Sequence, residues 1–239
     1  LDAFFEAELL FAQGSYVKAM RAYDDFLARY PKSKLYEAAL DRQYAIGTAY
    51  LDGRAKPVLK FVKIKGYAEG AKIMDRIVDK AGDAPIAVEA AVAVARSYEK
   101  RDKFEEAYQK WSEISSRWPT GKIGKDALLG MARCKHAAYR GPKYNASDLL
   151  SAKTYYENFK LRYPEDAARL DIDKRLQQIN EQLAYKNFSV GLYYEQTGNK
   201  ESAHFYYKMV LDGWPESMAA KMARARMVRN EQESEKVKK

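Results

Sequence analysis

The chain has 239 residues, of which 47% are hydrophobic and 31% are charged, with a formal net charge of +9. These proportions are those of a soluble folded protein, and an aromatic content of 13% excludes an intrinsically disordered chain. The single cysteine, Cys134, excludes an internal disulfide and a cysteine-rich metal site. The 19 Tyr, set against 7 Pro and 13 Gly, favour long helices over a turn-rich β-fold.

One pattern recurs five times along the chain. A small residue is followed four positions later by an aromatic residue or Met, three positions after that by an apolar residue, and then by Pro or Gly. Positions i, i+4 and i+7 lie on one helix face, so each copy predicts a helix with an apolar stripe that ends near the Pro or Gly. The copies are Ala19, Tyr23, Phe26, Pro31; Gly70, Met74, Ile77, Gly82; Ala107, Trp111, Ile114, Pro119; Ala152, Tyr156, Phe159, Pro164; and Ala203, Tyr207, Val210, Pro215.

A partner helix precedes each stripe helix. Its mark is a small residue three positions before an aromatic residue, as in Gly47 and Tyr50, whereas Ala132 and Lys135 break the rule. The copies are unevenly spaced, and insertions at 51–66, 140–148 and 165–184 account for the excess. The last insertion has helical periodicity and predicts an overlong first helix in the fifth pair.

These features resemble the tetratricopeptide repeat over about residues 3–228. The sequence therefore predicts an all-α tetratricopeptide-repeat superhelix of about five helix pairs. It forms a single domain over 1–229, with a capping helix at about 217–229 and a charged, solvated tail at 230–239.

A narrower resemblance concerns the junction YPKSKLYEAAL and the closing segment AYKNFSVGLYYEQTGNKESAHFYYKMVLDGWPES. Both are similar to the BamD family of lipoproteins that assemble outer-membrane β-barrel proteins. That resemblance implies a non-catalytic scaffold on the periplasmic face of the bacterial outer membrane, lipid-anchored through an N-terminal cysteine that this sequence lacks. It also implies two kinds of protein partner: C-terminal peptides of unfolded barrel proteins, bound in the N-terminal half (1–119), and the barrel-forming assembly protein, bound by the C-terminal half (120–229).

Few residues are available for catalysis. His136 and His204 are the only histidines, and Cys134 and His136 are two positions apart on a predicted helix, so they point to different faces. No phosphate loop or metal-binding spacing occurs, so we expect no enzyme activity and no cofactor.

The first helices of stacked pairs line a groove that receives peptides. In each first helix, the residue after the small residue and the residue three before it are expected to face the groove. There aromatic rings would hold an apolar side chain and arginine would pair with a carboxylate. The alternative for Arg96 and Arg133 is surface pairing with Glu89 or Glu99. The predicted groove residues are Phe4, Phe11, Tyr44, Thr48, Arg96, Arg133 and His136.

The insertion at 54–66 carries five positive charges and no acid. Three interpretations remain open: contact with an anionic membrane surface, an extended strand that docks a partner, or a solvated loop packed on the neighbouring helix. The anionic-surface interpretation assigns Lys56, Lys60, Lys63 and Lys65. Acidic residues are interspersed elsewhere, so we expect no nucleic acid partner.

Aromatic residues between 185 and 215 supply contact area of the kind that dominates the binding energy of protein interfaces. Tyr207 occupies a stripe position and belongs to the core, whereas Tyr193 and Tyr206 fall off the stripe. The predicted partner interface comprises Tyr185, Tyr193 and Tyr206. The alternative function on the same fold is an adaptor for other cell-envelope or peptidoglycan machinery.

Overall fold

A computed structural model describes residues 2–59 and 62–238, and over these residues the chain forms helices and one β-hairpin. The helices are α1 (Asp2–Ala12), α2 (Tyr16–Arg29), α3 (Tyr36–Leu51), α4 (Tyr67–Ala81), α5 (Pro85–Lys100), α6 (Phe104–Arg117), α7 (Gly121–Ala138), α8 (Ser147–Arg162), α9 (Pro164–Arg169), α10 (Ile172–Gln196), α11 (Lys200–Gly213) and α12 (Met218–Lys238). The strands are β1 (Ala55–Leu59) and β2 (Val62–Lys65).

Five helix pairs follow one another in chain order: α1/α2, α3/α4, α5/α6, α7/α8 and α10/α11. This succession confirms the predicted tetratricopeptide-type fold. Contacts divide the chain into two compact units, unit 1 (Leu1–Gly124) and unit 2 (Lys125–Lys239).

The predicted apolar stripes form the core of each pair. Tyr23, Trp111 and Tyr207 rank among the largest fully buried side chains. Their burial follows from the i, i+4, i+7 spacing, which places each stripe on the one helix face that meets the partner helix. The small stripe residues allow a close approach: a Cβ added at Gly70 would lie 2.8 Å from the backbone nitrogen of Leu51.

In three of the helix pairs, a glutamate on the first helix accepts a hydrogen bond from the aromatic stripe residue of the second helix. Glu8 accepts a hydrogen bond from the Tyr23 hydroxyl, and the same carboxylate binds Arg42 of the next pair at 2.9 Å. The arrangement recurs in unit 2. There Glu195 accepts from the Tyr207 hydroxyl and binds Arg226 of α12 at 3.2 Å.

In the third pair Glu99 accepts from the Trp111 indole N–H. Burying a donor without an acceptor costs free energy, so these carboxylates allow Tyr and Trp to occupy the core.

The predicted ends of the stripe helices are confirmed, with one addition. Gly82 follows α4 with φ of 58°, a conformation that L side chains rarely adopt, and a Pro lies just beyond α2 and α6. Pro164 follows α8 but also opens the short helix α9 at its first position, where a missing N–H costs nothing.

The structure departs from the sequence-based expectation in two segments. The insertion, for which a solvated loop was one of three open interpretations, contains two antiparallel strands in which Ala55 pairs with Lys65 and Lys56 with Ile64, with an irregular register after Pro57. The tail from 230 continues α12 to Lys238, because its alternating Glu and Lys contain neither Gly nor Pro to stop a helix. The overlong first helix of the fifth pair is confirmed as the 25-residue α10, preceded by α9.

Candidate functional site

In unit 1 the first helices α3 and α5 enclose an open cavity of about 370 Å³. Tyr44 and Thr48 line it from α3, and Arg96 lines it from α5, so the structure brings together three of the predicted groove residues. Val92 and Ala93 add apolar surface, and Glu89, Asp52 and Lys100 add charge. The cavity therefore offers an aromatic ring, an apolar wall and a guanidinium within one small space.

The Tyr44 phenol is partly buried in this cavity. Burial raises the pKa of Tyr44 above its usual value, and the Glu89 carboxylate raises it further, while the positive charge of Arg96 opposes the shift. The Thr48 hydroxyl oxygen is buried close to Tyr44, but their contact does not have the geometry of a hydrogen bond. It is therefore one of the few buried side-chain oxygens left without a partner in the described part of the chain.

Arg96 lines the cavity on the same side of α5 as Glu89, and no ion pair joins it to Glu89 or Glu99 among the described residues. Glu99 instead accepts the hydrogen bond of Trp111. The guanidinium of Arg96 therefore faces the open cavity.

The first pair does not extend this surface as predicted. Phe4 is only 8% exposed and packs edge-on against Tyr23 and Phe26, so it belongs to the core. The prediction of Phe4 as a groove residue is wrong, because the position three before Ala7 faces α2 in this terminal helix. Phe11 is partly exposed, stacks on Tyr16 with ring centroids 5.5 Å apart, and lies under the Arg42 guanidinium.

In unit 2 a second open cavity, of about 540 Å³, contains the two other predicted groove residues, Arg133 and His136. His136 is bonded to the Gln182 side chain at 2.9 Å and lies edge-on to the Tyr156 ring. Burial lowers the pKa of His136, and the nearby charge of Arg175 lowers it further. The imidazole is therefore neutral at pH 7.

Sequence reasoning missed half of this cavity. Leu170, Ile172, Arg175 and Gln182 come from the insertion at 165–184, which the sequence showed to be helical but assigned to no site. The helical period of that insertion indicated a buried face, and this was the only signal in the sequence that these residues contact other helices.

The predicted partner interface lies around α10 and α11. Tyr185 is 48% exposed and Tyr193 is 61% exposed, and both line a shallow cavity of about 580 Å³. Lys186 donates hydrogen bonds to the carbonyl oxygens of Pro142 and Tyr144 and so holds the preceding loop against α10.

Tyr206 differs from these two residues, because it is partly buried and stacks on Tyr194 with ring centroids 5.6 Å apart. Phe205 beside it is 60% exposed and was not predicted.

The four lysines of the insertion are only partly described. The Lys65 side chain is exposed, Lys60 lies outside the described residues, and so do the side chains of Lys56 and Lys63.

Cys134 is buried at 1% exposure, as expected for a structural cysteine. Across the residues that the structure covers, no group of three or more His, Cys, Asp and Glu is arranged to hold a metal ion.

Two family models match the chain. Residues 131–238 match the outer membrane lipoprotein family YfiO, which is BamD-like, and residues 6–33 match the tetratricopeptide repeat. The chain thus resembles the tetratricopeptide repeat over residues 6–33 and the outer membrane lipoproteins over its C-terminal part. Proteins of these families are protein-interaction scaffolds. In the described part of the chain, no helix is both long and apolar enough to span a bilayer.

Comparison with solved structures returned proteins of low sequence identity. MamA of AMB-1 is 14% identical, with 93% of this chain and 92% of that chain covered and a TM-score of 0.36. A putative kinesin light chain of Podospora anserina with TPR-like repeats is 13% identical, with 95% of each chain covered and a TM-score of 0.37. Human IFIT1 is 13% identical, with 93% of this chain and 61% of that chain covered and a TM-score of 0.30. A search of curated proteins found no match.

Proposed function

We propose that this chain is a non-catalytic, BamD-like scaffold of outer-membrane β-barrel protein assembly, tethered by a lipid anchor to the periplasmic face of the bacterial outer membrane in the full-length protein. The observation that carries the proposal is the match of residues 131–238 to the outer membrane lipoprotein family. The scaffold acts by binding alone. It captures substrate peptide in unit 1 and docks the barrel-forming partner through unit 2.

The unit 1 cavity is the proposed peptide site. An aromatic side chain at the end of a barrel-protein peptide packs against Tyr44 and Val92, and its terminal carboxylate pairs with Arg96. Arginine binds a carboxylate through two parallel N–H···O bonds, which gives both affinity and orientation. Glu89 on the same wall accepts hydrogen bonds from backbone N–H groups of the peptide.

The exposed tyrosines of α10 form the proposed docking surface for the barrel-forming partner. Tyr185 and Tyr193 are two turns apart on one face of the helix, with apolar surface of Val190 and Leu192 beside them. Large, rigid aromatic side chains contribute most of the binding energy at protein interfaces.

Peptide capture is tested by replacing Arg96 with Glu. A fluorescent peptide with an aromatic C-terminal residue and a free carboxylate should bind this variant at least about tenfold more weakly, because an attractive charge pair becomes repulsive. The matched control is Arg21→Glu on the exposed face of α2, which should bind as the parent does. Equal affinity of the Arg96 variant and the parent would remove the peptide site from unit 1.

The assembly role is tested by mild crosslinking of the full-length protein in native membranes, followed by affinity purification and mass spectrometry. Recovery of a barrel protein with periplasmic repeat domains, together with nascent barrel proteins, supports the role. Recovery of peptidoglycan enzymes without any barrel component would instead assign the scaffold to that machinery.

A further inference from the structure

The insertion between α3 and α4 contains a sheet of two strands, β1 and β2. In the described part of the chain, neither strand packs along a helix as the two pack along each other. A sheet of two strands is marginally stable by itself in water. Its base is nevertheless fixed, because the Arg54 guanidinium lies 4.0 Å from the centre of the Tyr16 ring and the Gly66 N–H donates to the Arg54 carbonyl oxygen at 3.0 Å. A third strand would therefore stabilise a sheet that is already anchored at one end.

The register of the sheet determines which backbone groups point away from it. In an antiparallel pair, opposed residues alternate between pairs that exchange hydrogen bonds and pairs whose N–H and C=O groups point outward. The bond from the Gly66 N–H to the Arg54 carbonyl oxygen belongs to a pair of the first kind. The next pair, Ala55 and Lys65, is therefore of the second kind, and both residues direct their N–H and C=O groups outward.

The two outer edges differ in what they offer to another strand. On β1, Pro57 occupies the next outward position, where it has no N–H to donate, and the register becomes irregular after it. On β2, Lys63 and Lys65 both direct an N–H and a carbonyl oxygen outward. Among the described residues, no backbone hydrogen bond joins Lys63 or Lys65 to an element other than β1. The edge of β2 can therefore accept a strand, whereas the edge of β1 is interrupted.

The charge of the insertion indicates the kind of strand that fits. Residues 54–66 carry five positive charges and no acid, and Lys65 is exposed. Positions 63 and 65 share one face of β2, whereas Ile64, which is 54% exposed, lies on the other face. A second copy of β2 would bring lysine against lysine, which opposes self-pairing. A strand with acidic residues on one face and apolar residues on the other would match both faces of β2.

We propose that the outer edge of β2 binds an extended segment of a partner protein as a third strand, and that acidic residues alternate with apolar residues in this segment. Main-chain hydrogen bonds to Lys63 and Lys65 hold the segment in place. One of its carboxylates pairs with the exposed Lys65, and an apolar side chain lies beside Ile64. Addition of a strand to an open sheet edge is a general mode of peptide recognition. The proposal is independent of the assembly role and of the unit 1 cavity, because it rests only on the insertion.

The first experiment titrates the full chain with two fluorescent heptapeptides that have blocked ends and the same composition. In one peptide glutamate alternates with valine, and in the other the glutamates are contiguous. The alternating peptide should bind at least about tenfold more tightly, because only its acids share one face of a strand. Amide hydrogen exchange followed by NMR should show the amides of Lys63 and Lys65 protected at least about tenfold in the bound state, and that of Ala55 unchanged.

The second experiment separates the backbone contribution from the charge. Lys65→Gln removes the charge, whereas Lys65→Pro removes the charge and the outward N–H, at a position where the pairing with β1 needs no donor. We expect Lys65→Gln to weaken binding of the alternating peptide about twofold to threefold, since an exposed ion pair contributes little. Lys65→Pro should weaken it about tenfold or more, because a main-chain hydrogen bond is also lost.

The matched control is Ala55→Pro, which removes the outward N–H of the opposed residue on β1 and should bind as the parent does. Retained protection of the Ile64 amide, which faces β1, shows that the sheet is intact in a variant. If a proline variant loses this protection, the exchange of the Lys63 and Lys65 amides in the parent decides the question.

Three results would overturn the proposal: equal binding of the two peptides, equal loss in Lys65→Pro and Ala55→Pro, or no protection of the Lys63 and Lys65 amides at saturating peptide. Absence of peptide binding at millimolar concentration would overturn it as well. Flotation with vesicles of phosphatidylcholine and phosphatidylserine then tests the other source of negative charge. Vesicle binding that falls equally in Lys65→Gln and Lys65→Pro would assign the insertion to an anionic membrane surface instead.

Discussion

The contribution of the hydrogen bond between the Tyr207 hydroxyl and Glu195 to stability can be measured as a coupling free energy between the two residues. Tyr207 is fully buried, and its hydroxyl donates to Glu195, which also binds Arg226 at 3.2 Å. Burial and the Glu195 carboxylate together raise the pKa of Tyr207 far above its usual range. The hydroxyl thus stays protonated and remains a donor throughout the neutral pH range.

Replacing Glu195 with Ala removes the acceptor but leaves the buried donor. An unsatisfied buried hydroxyl costs about 1–3 kcal/mol, and loss of the partly exposed ion pair with Arg226 adds about 0.2–1 kcal/mol. We therefore expect the free energy of unfolding to fall by roughly 1–4 kcal/mol for Glu195→Ala. Tyr207→Phe removes the donor and leaves Glu195 with Arg226, so it should cost only about 0.5–1.5 kcal/mol.

The double variant should cost less than the sum of the two single variants, by about 1–2 kcal/mol, because no orphaned hydroxyl remains. The assay is urea denaturation of the four proteins followed by far-UV circular dichroism. Tyr193→Phe is the matched control, since that tyrosine is 61% exposed and its loss should change stability by no more than about 0.5 kcal/mol. Additivity within about 0.3 kcal/mol would refute the idea that Glu195 stabilises the core by satisfying Tyr207.

Two further predictions concern the helix contacts. Gly191→Ala places a Cβ 2.7 Å from a ring carbon of Tyr207 and should lower the free energy of unfolding by about 1–3 kcal/mol, whereas Gly213→Ala, with nothing within 4 Å, should be neutral or stabilising in the same denaturation assay. In unit 1 the hydrogen bond from Arg42 lowers the pKa of Glu8 despite partial burial. A lowered folded-state pKa contributes stability that is present above the unfolded value, about 4.3, and is lost as the pH falls through the folded value. Glu8→Gln should therefore flatten the pH dependence of the urea midpoint below about pH 5, and an unchanged acid limb would contradict this assignment.

Local sequence determined the helix pairs and their core. Tyr23, Trp111 and Tyr207 were predicted in the core from spacing alone, and all three are buried. The prediction succeeds because a stripe at i, i+4 and i+7 depends only on helical geometry, which is the same wherever the helix lies. The stops at Pro and Gly are equally local, since they follow from the missing N–H and the permissive backbone of single residues.

The tertiary structure decided which surface residues share a site. The spacing from the small residue nominated Tyr44, Thr48 and Arg96, which line one cavity. It also nominated Phe4, whose ring packs edge-on against Tyr23 and Phe26 in the core. Whether a side chain in the first helix faces a groove or a partner depends on how the helices pack. That packing is not encoded in the spacing of one helix.

The same limit applies to two of the three insertions, 51–66 and 165–184. The segments Ala55–Leu59 and Val62–Lys65 form strands only because they pair with each other. Arg175 and Gln182 line one cavity with Arg133 and His136 only because α10 packs over α7 and α8. The bond between His136 and Gln182, for example, joins residues that lie 46 positions apart in the sequence. Sequence periodicity shows that a segment has a face to bury, whereas only the folded chain shows which residues that face meets.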